Sequence, residues 1–184
     1  MKTDRFEIYE SFINGVSIIN RKIFEDNRGS FSRLFCEREM LELDLGISIS
    51  QVNISKTDKK GTVRGMHFQD GEFAEDKYII CLKGSIFDVA VDVRSDSKTF
   101  LKWDSAILSS KEDKMIFIPK GVAHGFQTLE DDCWLVYLHT EKYQQNSESG
   151  LNPTDPRLAI DWPLSVEIIS EKDKNRNFLR GNSL

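Results

Sequence analysis

The sequence predicts a mainly β protein, a sandwich or a barrel, on three observations. Short apolar runs with period-two alternation dominate, and roughly ten of them follow one another at short, regular spacing. Gly, Asp, Ser and Lys bound these runs, as turns require. Only one stretch, Arg38–Asp44, reads clearly as a short helix, so the βαβ alternation of a parallel sheet is missing. No internal repeat, low-complexity tract or linker interrupts the pattern.

The elements follow in order. Gly15–Phe24 reads as a strand, Asp26–Gly29 as a turn, and Phe31–Cys36 as a second strand before the helix. Ile47–Ser55 alternates again, and Thr62–Gln69 follows the polar turn Asp58–Gly61. Tyr78–Lys83 and Ser85–Arg94 flank Gly84, which predicts a tight hairpin. In the second of these, Phe87, Val89, Val91 and Val93 share one face, and Asp88, Ala90 and Asp92 the other. Trp103–Leu108, Met115–Pro119, Phe126–Leu129 and Cys133–Thr140 continue the series. Beyond Glu141 the chain turns polar and Pro-containing, with a short helix near Glu171–Asn175.

Composition bounds the function. The 184 residues carry 25 Lys+Arg and 30 Asp+Glu, a net charge of −5, which argues against a nucleic-acid partner. A local basic cleft is still compatible with that total. A hydrophobic share of 39% with 12 Phe is enough for one sizeable core, and the length suits one domain. Cys36, Cys81 and Cys133 are odd in number and widely spaced, matching neither a zinc site nor a disulfide framework. No run is long enough to span a membrane, and the N-terminus lacks the apolar core of a signal peptide. A reduced, cytoplasmic protein without a membrane partner is expected.

The chemistry gathers around few residues. Pro119-Lys120-Gly121-Val122-Ala123-His124 lies between two strands and resembles the second motif of the cupin superfamily, whose Pro and Gly make a hairpin turn and whose His points into the barrel. Metal-binding cupins pair it with a His-x-His motif; the matching stretch here, Arg64-Gly65-Met66-His67-Phe68-Gln69, has Gln69 in place of the second His. His67, His124 and a carboxylate such as Glu72 would be a poor set of three, so no metal is expected.

A closer resemblance covers nearly the whole chain, from about residue 15 to about 180. Asp26–Gly29, Arg64–Gln69, Phe87–Arg94, Ile118–Phe126, Asp155–Pro163 and Ser170–Asp173 stand in the order and spacing of the dTDP-4-dehydrorhamnose 3,5-epimerase family. The resemblance implies one cupin-type jelly-roll domain over 1–184, with a few short helices. Its C-terminal segment, about 141–184, would be partly irregular and packed on the barrel. It also implies a cofactor-independent epimerase of a nucleotide-diphosphate 4-keto-6-deoxy hexose, serving surface polysaccharide or a modified sugar. A homodimer is implied too, with N-terminal strands exchanged and each pocket completed by the partner.

Inverting a carbon beside a ketone needs a base on one face, an acid on the other, and a cation or donor near the carbonyl oxygen. His67 suits the base, since imidazole titrates near neutral pH and a carboxylate can orient it. The resemblance supplies Asp173 as that carboxylate, Tyr137 as the acid and Lys77 beside the enolate. Strand parity puts Tyr137 with Cys133, Leu135 and His139 on one face, compatible with the barrel interior. For substrate the resemblance marks Arg28 and Arg64, suited to pyrophosphate, and the polar residues Gln51, Asn53, Glu148 and Lys172. It adds Tyr143 stacking on the base, Phe31 nearby and His124 close to the sugar.

Two positions depart from the family. Arg33 stands where a Glu usually accepts a hydrogen bond from thymine; a cation cannot accept, which points to a GDP- or CDP-linked sugar. Leu138 follows Tyr137 where Lys is frequent. The competing readings are a relative that inverts C3 alone, a metal-dependent cupin oxygenase and a non-catalytic sugar-binding cupin.

Overall fold

The computed structural model describes residues 1–46 and 48–179. In chain order the strands are β1 (Phe6–Glu10), β2 (Ser17–Arg21), β3 (Ile23–Asp26) and β4 (Gly29–Ser32). After helix α1 (Glu37–Glu42) come β5 (Gln51–Thr57), β6 (Thr62–Gln69), β7 (Lys77–Lys83) and β8 (Ser85–Asp92). Then follow β9 (Trp103–Ser109), β10 (Lys114–Ile118), β11 (Val122–Thr128) and β12 (Cys133–His139). The short strands β13 (Glu148–Gly150) and β14 (Ile168–Ile169) precede helix α2 (Glu171–Lys174).

Two sheets face each other as a jelly-roll barrel, the expected class. One runs β1-β2-β10-β7-β12-β5; the other runs β13-β6-β11-β8-β9, with β14 added beside β6. Ile79, Ile118 and Leu135 from the first sheet meet Ile86, Ala90, Leu108 and Phe126 from the second in the barrel interior. Burying each such side chain stabilises the fold by roughly 1.5–3 kcal/mol. A second cluster lies outside the first sheet, where Met40 of α1 and Leu43 at its C-terminal end cover Tyr78, Ile80 and Phe117. A third lies outside the second sheet, where Leu151, Leu158 and Trp162 of the C-terminal segment cover Met66, Val89 and Val91. Each face of the β8 alternation therefore has its own core.

Several elements differ from the sequence reading. Gly84 is not the tip of a paired hairpin: β7 pairs with β10 and β12, and β8 with β9 and β11. The chain crosses between sheets there, with Gly84 at φ +78°, where an added Cβ would stand 2.6 Å from Cys133 Sγ. The Pro119–Gly121 turn likewise crosses between sheets, from β10 to β11. The predicted strand Phe31–Cys36 is displaced: β4 starts at Gly29, and Leu34, Phe35 and Cys36 leave the ladder to pack on the second cluster. Strand β1 has no counterpart in the prediction, although Phe6 and Ile8 alternate into the second cluster, on the outer face of the sheet beside β2. Strand β11 begins four residues earlier than the Phe126 start read from apolar pattern, because Ala123, His124 and Gly125 dilute that pattern. The strand expected from Ile47 forms from Gln51; Ile47 lies outside the described residues, as do 180–184 of the C-terminal segment.

Candidate active site

A cavity of about 570 Å³ opens between the two sheets. Among its lining residues are His67, Lys77, Tyr137 and Asp173, together with Arg64, His124, Tyr143, Glu148 and Lys172. His67 comes from β6, next to His124 on β11 and Gly150 on β13. Tyr137 comes from β12 of the facing sheet. The base and acid candidates are therefore on opposite walls.

Local packing sets the position of β6. Gly65 and Gly125 lie back to back, so close that a Cβ on Gly65 would stand 2.5 Å from Gly125 Cα. One on Gly125 would stand 2.5 Å from Met66 Sδ and 2.8 Å from the Arg64 carbonyl oxygen. The register shifts between His124 and Phe126 at this contact, and His67 and His124 end up side by side.

Asp173 reaches His67 because β14 docks parallel to β6, pairing Ile168 with Thr62 and Ile169 with Val63. The chain then turns into α2, where the Ser170 hydroxyl caps the helix by accepting the Asp173 backbone N–H at 3.0 Å. Asp173 Oδ1 lies 2.6 Å from His67 Nε2; the Asp173 side chain is 3% exposed and that of His67 37%. Burial pushes the Asp173 carboxyl up, but the His67 hydrogen bond and charge, the Ser170 hydroxyl and the Gly65 amide outweigh it and hold it below its ordinary range. A carboxylate that accepts from Nε2–H leaves Nδ1 as the basic nitrogen.

Tyr137 packs edge-on against His124, with ring centroids 5.9 Å apart. Burial, then the nearby Asp88 carboxylate, pushes its phenol above the ordinary range, so it stays protonated at neutral pH. His124 Nε2 pairs with Asp88 Oδ2 at 2.8 Å, and Asp88 Oδ1 is buried without a hydrogen-bond partner among the described residues. Lys77 is buried and donates from Nζ to the His67 carbonyl oxygen at 3.2 Å.

At the mouth, Glu148 joins Lys172 (2.5 Å) and the Tyr143 hydroxyl (2.7 Å). Arg64 is held by Thr57 Oγ1 at 3.0 Å and by the Lys56 carbonyl. Gln51 accepts the Tyr143 backbone N–H through Oε1, and Asn53 stands opposite Tyr137 in register. Gln69 is a clasp: its amide donates to the Phe73 and Lys142 carbonyls and accepts from Gln144 N–H. Glu72 lines a separate polar depression beside Asp70 and Ser147.

Five expected substrate residues, Arg28, Phe31, Arg33, Gln51 and Asn53, do not line this cavity. Arg28, with its side chain 85% exposed, and the exposed Phe31 lie on the β3–β4 hairpin. Arg33 Nη1 pairs at 2.6 Å with Glu39, whose side chain is 4% exposed and also accepts from Thr3 Oγ1. Glu75 and His139, by contrast, line the cavity and escaped the sequence reading, although parity had placed His139 on the Tyr137 face.

Comparison with known proteins identifies the family. The family model for dTDP-4-dehydrorhamnose 3,5-epimerase matches residues 10–181. The chain is 42% identical over 165 residues to the Escherichia coli dTDP-4-dehydrorhamnose 3,5-epimerase, covering 88% of each protein. The Bacillus anthracis enzyme of that name, solved with TDP and PPi bound, superposes with a TM-score of 0.91 at 35% identity, over 95% of this chain and 99% of that one. A Legionella pneumophila dTDP-6-deoxy-D-glucose-3,5-epimerase in complex with dTDP-4-keto-L-rhamnose gives 0.88 at 39% identity, over 94% and 92%. The chain belongs to the dTDP-4-dehydrorhamnose 3,5-epimerase family.

Proposed function

We propose that this chain is a cofactor-independent 3,5-epimerase of a dTDP-linked 4-keto-6-deoxy hexose, with His67 as base and Tyr137 as acid. The observation that carries this reading is the placement of the His67–Asp173 pair and Tyr137 on facing walls of one cavity, with buried Lys77 beside them.

His67 Nδ1 takes the proton from the carbon beside the ketone, and the electron pair moves onto the carbonyl oxygen. Asp173 stabilises the imidazolium that forms. The Lys77 ammonium stabilises the enolate oxygen, where a cation in a water-poor site acts most strongly. Tyr137 then delivers its proton to the opposite face, and solvent restores both groups. Arg64 and Lys172 suit the pyrophosphate, Tyr143 stacks on the base, Glu148 orients Tyr143 and Lys172, and His124 borders the sugar.

The nucleotide is read as dTDP, as the family relatives' names state for those proteins. Arg33 is paired with Glu39 and, like Arg28 and Phe31, does not line its own chain's cavity, so position 33 offers no acceptor to a base and the dTDP reading rests on the family relatives. Parallel assays with dTDP-, GDP- and CDP-linked 4-keto sugars test this: a dTDP preference of at least tenfold is expected, and preference for either of the others overturns it.

The reading includes a homodimer whose β3–β4 hairpin serves the neighbouring cavity, with Arg28 and Phe31 on substrate and Gln51 and Asn53 at the rim. Its support is the hairpin itself: Phe24, Arg28 and Phe31 are exposed away from their own cavity. Val52 and Ile54 are also exposed on β5, an edge strand that pairs on one side only. Light scattering should give a dimer, and a monomer at working concentration contradicts it. A cytoplasmic location fits the free Cys36, Cys81 and Cys133. Among the described residues no helix is long and apolar enough to cross a membrane.

A further inference from the structure

Lys77 is a costly residue to bury. Its side chain is 8% exposed, and burial in a low-dielectric wall favours the neutral amine, which would offer an enolate oxygen no positive charge. The groups that oppose this are few. Glu75 Oε1 stands 3.2 Å from Lys77 Nζ and is equally buried. Glu148 and Asp88 also act on Lys77 through their charge, but no ion pair joins either to it, and each already has another partner: Glu148 has Lys172 and Tyr143, and Asp88 has His124. His67, which supplies the carbonyl above Nζ, is paired with Asp173.

Glu75 is held in turn by its second oxygen. Oε2 accepts from His139 Nδ1 at 3.1 Å and from Gln69 Nε2 at 3.2 Å. His139 stacks on Tyr137 with centroids 5.8 Å apart and an interplanar angle of 18°. One carboxylate thus ties together the cation of one strand, the His-bearing end of the acid's strand and the Gln69 clasp on β6. Burial raises the Glu75 carboxyl, but the His139 hydrogen bond and the Lys77 charge outweigh it and keep it ionised.

We propose that Glu75 is a positioning residue of the active site, which fixes Lys77 as an ammonium facing the cavity and is itself oriented by His139 and Gln69. The inference rests on the proton-transfer reading above for its kinetic consequence, but the Lys77–Glu75 relation stands apart from any substrate.

The test uses the full chain and three proteins: wild type, Glu75→Gln and Glu75→Asp. The ε-carbon of Lys77, assigned by its loss in Lys77→Arg, is titrated by NMR in lysine-labelled protein without substrate. Glu75→Gln should move the Lys77 midpoint down by roughly one pH unit or more. The alkaline limb of kcat should move with it, and kcat at neutral pH should fall roughly 10- to 100-fold with KM changed less than about threefold. Glu75→Asp, which keeps the charge but withdraws it by one methylene, should fall between the two. An unmoved Lys77 midpoint, or a loss confined to KM, overturns the proposal. If Glu75→Gln does not fold, Glu75→Asp decides: unchanged kcat and an unchanged midpoint overturn it. If the wild type turns over no 4-keto sugar, the reaction reading fails, and the titration alone still judges Glu75.

Discussion

Asp173 Oδ1 lies 2.6 Å from His67 Nε2 across 106 residues of sequence. The pairing exists because Ile168 and Ile169 extend the sheet beside Thr62 and Val63 and deliver α2 to the cavity wall. If this carboxylate orients the base, Asp173→Asn should lower kcat by roughly 10²- to 10⁴-fold while leaving dTDP affinity within a few-fold. Steady-state kinetics and calorimetric dTDP titration check it. A variant with near-normal kcat would remove Asp173 from the mechanism.

Tyr137 offers a different separation. Its phenol is held protonated by burial and by Asp88, and Phe keeps the ring that packs on His124 and His139. Tyr137→Phe should keep the fold and nucleotide binding but reduce net epimerisation by roughly 10²-fold or more. His67 would still remove a proton, so exchange should outlast inversion. Equal loss of both would place Tyr137 in binding or support instead.

Asp92 gives a prediction about pH and stability. It is buried at the end of β8, where Oδ1 accepts from Arg94 Nε at 2.8 Å and Oδ2 from Ser97 and Thr99 hydroxyls at 2.5 and 2.6 Å. Burial pushes the carboxyl up, but the Arg94, Ser97 and Thr99 hydrogen bonds outweigh it and bring it down from 3.8 to about 2. A depressed carboxyl stabilises the fold above its unfolded pKa, and the contribution fades as pH falls through the folded one. That contribution is about 2 kcal/mol, present above about pH 4 and lost towards pH 2. Urea unfolding of wild type and Asp92→Asn should show a gap at pH 5 that narrows below pH 3; a gap independent of pH would contradict it.

The Gly65–Gly125 contact makes a prediction about packing. Gly125→Ala forces a methyl within 2.5 Å of Met66 Sδ and 2.8 Å of the Arg64 carbonyl oxygen. It should destabilise the protein by roughly 1–3 kcal/mol and, by moving the segment before His67, lower kcat as well. Thermal unfolding and kinetics together check this. A neutral effect on both would show that the strands separate freely.

Much of this was legible because strands expose their faces through parity. Tyr137 falls inward with Leu135, and Asp88 inward with Ala90, as alternation requires. What parity cannot carry is which sheet a strand joins. Gly84 looks like a hairpin tip because two apolar runs flank it, yet the partners of both runs are distant in sequence. Asp173 is equally invisible to periodicity, since a two-residue strand sets its place; only the family resemblance pointed to it. Arg28 and Phe31 carried the family pattern but sit on a projecting hairpin, and no local signal says which cavity such a hairpin serves. Glu75 was missed because an acid before a strand reads as turn chemistry until the fold packs Lys77, His139 and Gln69 around it.

The central claim is proton transfer at carbon beside the ketone by His67, with reprotonation from the opposite wall. Proton NMR of the dTDP-4-keto-6-deoxy sugar in heavy water with purified enzyme tests it most directly. The account predicts deuterium entering C3 and C5 with wild type and entering neither with His67→Ala. Exchange at C3 alone would mark a C3 epimerase, and undiminished exchange with His67→Ala would contradict the mechanism.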